Sequence, residues 1–161
     1  MNCIVTAGPT YEPLDDVRRL TNFSTGRLGT ELAGFLTAHG HQVTLLIGEL
    51  ATWGGERQAQ TVKVFSTTRD LYAQMKAGGR RKVDAIFHAA AVSDFTFGKM
   101  YTRRVDGALE KFAPGRKIST RAGSLVVETL AAGFSLGAPM AKAATRTAAT
   151  ASARTRFCMS V

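Results

Sequence analysis

The sequence predicts an α/β fold: a three-layer parallel sheet with a projecting β-hairpin flap, incomplete on its carboxyl-terminal side. Three observations carry this expectation. Short apolar runs alternate with helical patterns in the order strand, helix, strand, strand, helix, strand. Gly8 and Gly48 close two of those strands. After Asp94 the pattern changes to short alternating runs studded with basic residues and separated by Gly107, Gly115 and Gly123.

Taken in order, Cys3–Ala7 (CIVTA) reads as a buried strand running into the turn Gly8-Pro9-Thr10. Pro13 and the Asp15-Asp16 pair keep the next segment irregular. A helix opens after Asn22–Gly29, with Leu28, Leu32, Phe35 and Leu36 at helical spacing and Ala33 and Gly34 small enough for close packing. It stops near His39-Gly40, where glycine takes the left-handed cap conformation. Gln42–Ile47 and Thr61–Phe65 read as the second and third strands, with a helix over Arg69–Ala77 after them. Val83–Ala91 is a fourth strand, apolar enough to be covered on both faces. Phe95–Val127 then reads as the hairpin or flap. Right-handed crossovers place the strand-end loops along one edge, where such sheets bind ligands.

The chain of 161 residues, 45% hydrophobic and 20% charged, is long enough for one domain with a real core. No run approaches the roughly 18 apolar residues of a membrane span. The first residues lack the basic start and apolar stretch of a secretion signal, so cytoplasmic residence is the expectation. Cys3 and Cys158 offer neither metal-ligand spacing nor a disulfide framework. The formal charge of +9 lies mainly in the tail: residues 1–115 hold 14 Lys/Arg against 11 Asp/Glu, and residues 116–161 hold 7 against 1. A nearly balanced body argues against a nucleic-acid partner.

Four segments have residue types that could bind or react. Gly8 would let a ligand approach the backbone, and Thr10 could offer it a hydroxyl; an ordinary turn reads equally well. Asn22-Phe23-Ser24-Thr25-Gly26 supplies hydroxyls and free N–H groups at a helix start, which suits phosphate, although Ser24 or Thr25 could equally cap the helix. In His88–Phe95 the alanines would admit a flat ring, and Asp94 could bind a base, a sugar or magnesium. His88 has no general-base signature beside it in the sequence and is expected to pack in the sheet. Lys117 could cross over a triphosphate as a counter-charge, or Arg116–Arg121 could be a solvated basic edge. No GxGxxG or GxxxxGK[ST] loop occurs, and Tyr72 and Lys76 have the spacing of a reductase pair but lie too early, so a nicotinamide-dependent reductase is disfavoured.

The segment AGPTYEPLDDVRRLTNFSTGRLG, followed at the right distance by AAAVSDF, resembles phosphopantothenoylcysteine synthetase, whose signatures run TAGPTxEPxDxVRxxxNxSxGxxG and AAAVADY. The likeness covers about residues 2 to 128. It implies a Rossmann-like, homodimeric ligase of coenzyme A biosynthesis that activates 4'-phosphopantothenate with CTP, or ATP, and magnesium. L-cysteine then displaces the nucleoside monophosphate. The resemblance assigns Asn22 to the acyl-nucleotidylate, Arg18 to an anionic oxygen, and Lys117 to amide formation. To the nucleotide it assigns Gly8, Pro9, Thr10, Ser24, Gly26, Ala90, Ala91, Asp94 and Phe95. The metal ligands stay unassigned.

Two departures stand beside the likeness. Lys117-Ile118 is followed by Ser-Thr where the family has Lys-Lys, and no flavin-binding decarboxylase precedes the motif, so a stand-alone synthetase domain is expected. The synthetase-like domain is read as residues 1–128. Residues 129–161, with 10 Ala, 5 Thr, four basic residues and no acid, match nothing in the family's continuation. They are expected to be disordered or read in a shifted frame. The alternative to an active ligase is therefore a catalytically impaired nucleotide-binding remnant.

Overall fold

The computed structural model describes residues 1–78, 82–112, 118, 124–131 and 155–160. The chain forms two compact units, one of Met1–Glu12 with Arg19–Ser93 and one of Pro13–Arg18 with Asp94–Val161. No described helix is long and apolar enough to cross a membrane.

The first unit holds β1 (Asn2–Pro9), α1 (Arg27–Ala38), β4 (Gln42–Gly48), β5 (Thr61–Phe65), α2 (Thr68–Gly78) and β6 (Ala85–Ala91). Two short strands, β2 (Tyr11–Pro13) and β3 (Arg19–Thr21), pair as a ribbon between β1 and α1 in sequence. The main sheet runs β5-β4-β1-β6. It is parallel throughout, with Asn2 opposite Gln42, Cys3 opposite Ala85 and Thr44 opposite Thr61 at the starts of the ladders. The chain leaves β1 toward β4 and β5, then returns to β6 on the other side of β1. That reversal opens a crevice at the carboxyl ends of β1 and β6.

Alternate residues of β1 face opposite layers. Cys3, Val5 and Ala7 pack with Ala33 and Leu36 of α1 and with Val43, Leu45 and Ile47 of β4. Ile4 points the other way, toward the end of α2, where a Cβ on Gly78 would lie 2.9 Å from its Cδ1. Helices on both faces give the three layers.

The buried stripe of α1 is not the one that the large residues suggest. Gly29, Thr30, Ala33 and Leu36 face the sheet, whereas Leu28 and Phe35 are 72% and 59% exposed. The cause is the closeness of helix and strand: a Cβ on Gly29 would come within 2.6 Å of both Ala7 Cβ and the Thr6 carbonyl oxygen. Only a small side chain fits at that approach, while Leu36, further along, fills the core and Phe35 turns outward to meet the His39 ring at 4.1 Å. Gly40, at φ 77°, ends the helix as expected, and the next N–H, of His41, reaches back to Leu36 O.

The double-sided burial expected of the fourth strand is also revised. Ile86 is 47% exposed, because β6 ends the sheet and no described helix covers its even-numbered face.

The second unit is antiparallel, built from β7 (Phe95–Arg103), β8 (Leu109–Phe112), β9 (Ser124–Ala131) and β10 (Thr155–Ser160) in the order β10-β9-β7-β8. The expected hairpin is β7–β8, turning at Arg104–Gly107, where Gly107 has φ 84° and its N–H bonds Arg104 O at 2.9 Å. A bulge between Phe97 and Met100 re-registers β7 on β9. Leu14, Ile118, Leu125 and Val127 form the core, with Phe97, Met100 and Phe112 packed against it. Residues 155–160 pair with β9 from Thr155 opposite Thr129 to Ser160 opposite Ser124. The composition of the tail gives poor strand signals; the ladder offered by β9 supplies what local propensity does not.

Candidate active site

The turn after β1 is closed by packed glycines. Gly8 and Gly26 both have φ 79°, in the left-handed region open to glycine. Side chains there would strike Ala51 Cβ, at 2.7 Å from Gly8 and 3.0 Å from Gly26. A Cβ on Gly26 would also lie 3.2 Å from Gly8 N. The missing side chains therefore face protein, and whatever these glycines offer a ligand comes from backbone.

Next to them, β3 is tied across the ends of β1 and β6. The Thr21 hydroxyl donates to Thr10 O at 2.9 Å. The Asn22 side-chain N–H donates to Val92 O at 2.8 Å, leaving its second N–H and its Oδ1 on the exposed side. Pro9 is paired with Ala91 and Gly8 with Ala90, while the Ala90 N–H donates to the Thr6 hydroxyl at 3.1 Å. Gly8, Pro9, Thr10, Asn22, Ala90 and Ala91 thus share one end of the sheet. Thr10 itself is fully buried, accepting the Ser93 N–H at 2.8 Å and meeting the Thr68 hydroxyl at 3.1 Å. Its hydroxyl ties β1, α2 and the end of β6 together instead of facing outward. Replacing Thr10 by valine keeps the shape and strands the Ser93 N–H, an expected loss of about 1–3 kcal/mol in urea denaturation. A change under about 0.5 kcal/mol would show that this tie contributes nothing.

The Gly26 end of α1 opens a cleft of about 410 Å³ lined by residues 24–29, Glu31 and Ala89. No side chain caps the helix and its first turn has no acid, so its N–H groups present a positive end. The N-cap position is Gly26, so neither Ser24 nor Thr25 caps from it; Thr25 Oγ1, one residue earlier, accepts the first-turn N–H of Arg27 at 3.3 Å and leaves the other first-turn N–H groups to the cleft. Arg27 is the residue that the sequence did not single out. Its guanidinium pairs with Glu31 at 2.8 Å and lies 4.7 Å from the Trp53 ring centroid, which fixes a cation at the mouth of the cleft. The signal was present in the sequence as an arginine directly after the helix-opening glycine.

His88 lies beside this end of the sheet with its Nδ1 2.7 Å from the Thr6 hydroxyl. Partial burial pushes the imidazole below its ordinary 6.5. The neutral form is thus favoured at pH 7, and the side chain stands exposed on β6, not packed in the sheet as expected, because the even-numbered face of this edge strand has no described cover.

In the second unit, Asp15 and Arg18 form a compact turn. Asp15 Oδ1 accepts the N–H groups of Val17 at 2.9 Å and Arg18 at 2.7 Å. Its Oδ2 accepts the Ile118 N–H at 2.9 Å and lies 3.7 Å from Arg18 Nη1. The Ile118 N–H is the foremost cause holding the Asp15 carboxyl below 3.8; the Val17 and Arg18 N–H groups and the guanidinium add to it, and burial opposes it. A carboxyl with a depressed folded value adds stability that is fully present above pH 3.8 and is lost as pH falls through the folded value. The stability gap between wild type and Asp15→Asn, read by urea denaturation, is expected to hold from about pH 7 to 5 and to shrink below about 4. A gap that stayed constant to lower pH would show that the ionised form is not the one the fold selects. Asp94 and Phe95, both exposed, open this unit at the start of β7, and Lys117 falls outside the described residues. Among the described residues no three acidic, histidine or cysteine side chains converge on a metal position.

This arrangement can be set beside known proteins. The model of the DNA/pantothenate metabolism flavoprotein C-terminal domain matches residues 1–124. The chain belongs to this family. It is 38% identical over 92 residues to a cysteine/cysteine sulfinic acid decarboxylase from an unknown prokaryotic organism, a match of 57% of this chain and 25% of that one. Over 107 residues it is 33% identical to the coenzyme A biosynthesis bifunctional protein CoaBC of Mycobacterium tuberculosis (strain ATCC 25618 / H37Rv), covering 66% of this chain and 25% of the relative. Among solved structures, the DNA/pantothenate metabolism flavoprotein from Streptococcus pneumoniae superposes with a TM-score of 0.56 at 32% identity, over 62% of this chain and 43% of that one. The matched stretch spans about a quarter of each of these two curated relatives. Within the family, the AGPT and NFSTG signatures are the loops that here converge at the carboxyl ends of β1 and β6.

Proposed function

We propose that this domain is a phosphopantothenate–cysteine ligase of coenzyme A biosynthesis, working through an acyl-nucleotidylate formed from CTP or ATP. The observation that carries the reading is the fixed amide of Asn22, held by Val92 O at 2.8 Å at the crevice where β1 and β6 diverge. Support comes from the family and from the mycobacterial relative, whose name places it in coenzyme A biosynthesis.

The chemical difficulty is to bring a carboxylate up to a polyphosphate, two anions that repel each other. Preset donors in a site that need not reorganise reduce that barrier. In this reading the first-turn N–H groups of α1 beyond Arg27, the Arg27 guanidinium and the hydroxyls of Ser24 and Thr25 hold phosphate oxygens, and the turn at Gly8-Pro9-Thr10 shapes the floor. The 4'-phosphopantothenate carboxylate attacks the α-phosphorus and pyrophosphate leaves. Asn22 donates its outward N–H to the acyl-nucleotidylate, and Arg18 is a donor to an anionic oxygen. The amine of L-cysteine then attacks the acyl carbon, a proton is lost from nitrogen, and the nucleoside monophosphate leaves, with Lys117 serving this second half. Ala90, Ala91, Asp94 and Phe95 are assigned to the base and ribose.

Magnesium supplies charge neutralisation on the triphosphate when bound. Asp94 is the side chain that the sequence offers it, and it would hold the ion as an oxygen donor. The assembly proposed is the homodimer that the resemblance implies.

Single-turnover release of pyrophosphate from CTP or ATP, with 4'-phosphopantothenate and magnesium and before any cysteine is added, tests the reading. Release would support the activating half-reaction. No release with either nucleotide, from protein with a cooperative unfolding transition, would leave the chain a nucleotide-binding relative without the activity.

A further inference from the structure

We infer that Asp15 is a positioning residue that holds the Arg18 guanidinium ready for an anion; the inference rests on the ligase reading, in which Arg18 meets an anionic oxygen. The turn from Pro13 to Arg18 would close without the whole carboxylate. Leu14 N–H and Asp15 N–H both reach Arg18 O, at 2.9 and 3.3 Å, and Oδ1 alone accepts the Val17 and Arg18 N–H groups. The second oxygen does something else. Oδ2 faces Arg18 Nη1 at 3.7 Å and accepts the Ile118 N–H, while Arg18 Nη2 donates to Ile118 O at 3.4 Å. The guanidinium is thereby held between one carboxylate and one main-chain carbonyl.

Ile118 makes that frame rigid. It is fully buried and packed with Leu14, Leu125 and Val127, which seats the carbonyl that receives Nη2 beside the core. The Asp15 side chain is 1% exposed, and a carboxylate so enclosed persists only when paired and hydrogen-bonded. Arg18 is less enclosed, at 29% exposure overall, but its Nη1 is buried beside Asp15 Oδ2 and has no hydrogen-bond acceptor among the described residues. A guanidinium has five donors. Here one Nη2 N–H is taken by Ile118 O and Nη1 is buried beside the carboxylate, so that edge is anchored and the donor capacity for an anion lies on Nε and the second Nη2 N–H. An unanchored arginine would have to give up its rotamer freedom on binding; this one has already done so.

Two measurements test the assignment. In limited trypsin digestion followed by mass, cleavage after Arg18, distinguished from cleavage after Arg19, is expected to be about tenfold faster in Asp15→Asn, because a freed arginine enters the protease pocket. Cleavage after Arg103 and Lys111 in the same unit serves as reference and should not change. Equal acceleration at all sites, or none after Arg18, would overturn the inference.

The second measurement is a double-mutant cycle on pyrophosphate release at varied 4'-phosphopantothenate. Asp15→Asn and Arg18→Ala are each expected to lower kcat/KM by about 10- to 100-fold, whereas Asp15→Asn in the Arg18→Ala background should cost less than about twofold. The same factor in both backgrounds would mean that Asp15 only stabilises the turn, and would overturn it. If the wild-type chain releases no pyrophosphate, the ligase reading falls, and the digestion alone decides whether Asp15 holds Arg18.

Discussion

Replacing Gly29 by alanine is expected to destabilise the first unit by about 3 kcal/mol or more, a large part of the roughly 5–15 kcal/mol that holds a domain together. The added methyl would sit 2.6 Å from Ala7 Cβ and from Thr6 O, and 3.1 Å from Ala7 Cα. Two of those atoms belong to the backbone of the strand at the centre of the sheet, so no side chain can rotate away. Either α1 lifts off β1 or the strand bends, and both open the core made by Val5, Ala7, Ala33 and Leu45. The same substitution five residues later should have the opposite sign. A Cβ on Gly34 meets only Gln58, at 3.7 Å, and alanine in a helix interior is favoured over glycine by about 1 kcal/mol. Urea titrations of the two variants decide the matter. If Gly29→Ala and Gly34→Ala both stabilise, the close approach of helix to strand is absent in solution.

Asn22→Asp is expected to give the largest loss of activity. Its amide N–H and Val92 O, at 2.8 Å, would become two facing acceptors, so the side chain must swing away. A negative charge would also appear where the proposed chemistry assembles a carboxylate and a polyphosphate. Loss of a preset donor in such a site costs roughly 100- to 1000-fold in rate. Single-turnover pyrophosphate release should therefore fall by at least about 100-fold, while the unfolding free energy changes by about 1 kcal/mol for the single exposed hydrogen bond. Release that persists at the wild-type rate would remove Asn22 from the chemistry. A collapse of stability alongside the rate would make its role structural.

Local pattern made the strands legible. CIVTA, QVTLLI and VDAIFHAAA are apolar runs bounded by turns, and they match β1, β4 and β6 to within one or two residues at each end. The face of α1 was not legible in the same way. Periodicity gives weight to large residues such as Leu28 and Phe35, but the distance to β1 selects small ones, and that distance is set by the partner strand. The candidate site divides along the same line. Glycine and hydroxyl punctuation pointed to Gly8-Pro9-Thr10 and Asn22–Gly26 because such residues are what a strand-end turn and a helix start require. What their side chains do depends on partners far away in sequence. Thr10 is turned inward by Ser93, 83 residues on, and Asp15 is engaged by Ile118, 103 residues on. Arg27 gains its fixed position from Trp53, a contact that no short motif encodes.

The second unit is discontinuous: six residues from before β3 complete a core whose remainder begins at Asp94. On a ribosome this imposes an order of events. Leu14 and Asp15 emerge about 100 residues ahead of Ile118, and at roughly 5–20 residues per second that interval is on the order of 5–20 s. The first unit acquires its last strand, β6, near the end of that time, while the turn at Pro13–Arg18 still waits with an ionised carboxylate and no Ile118 N–H to receive. A fragment beginning at Asp94 would lack that turn altogether, and a nascent chain halted before Ile118 would present it unfilled to chaperones. Vectorial synthesis thus makes the second unit the late and vulnerable step of biogenesis, even though its first residues are among the earliest made.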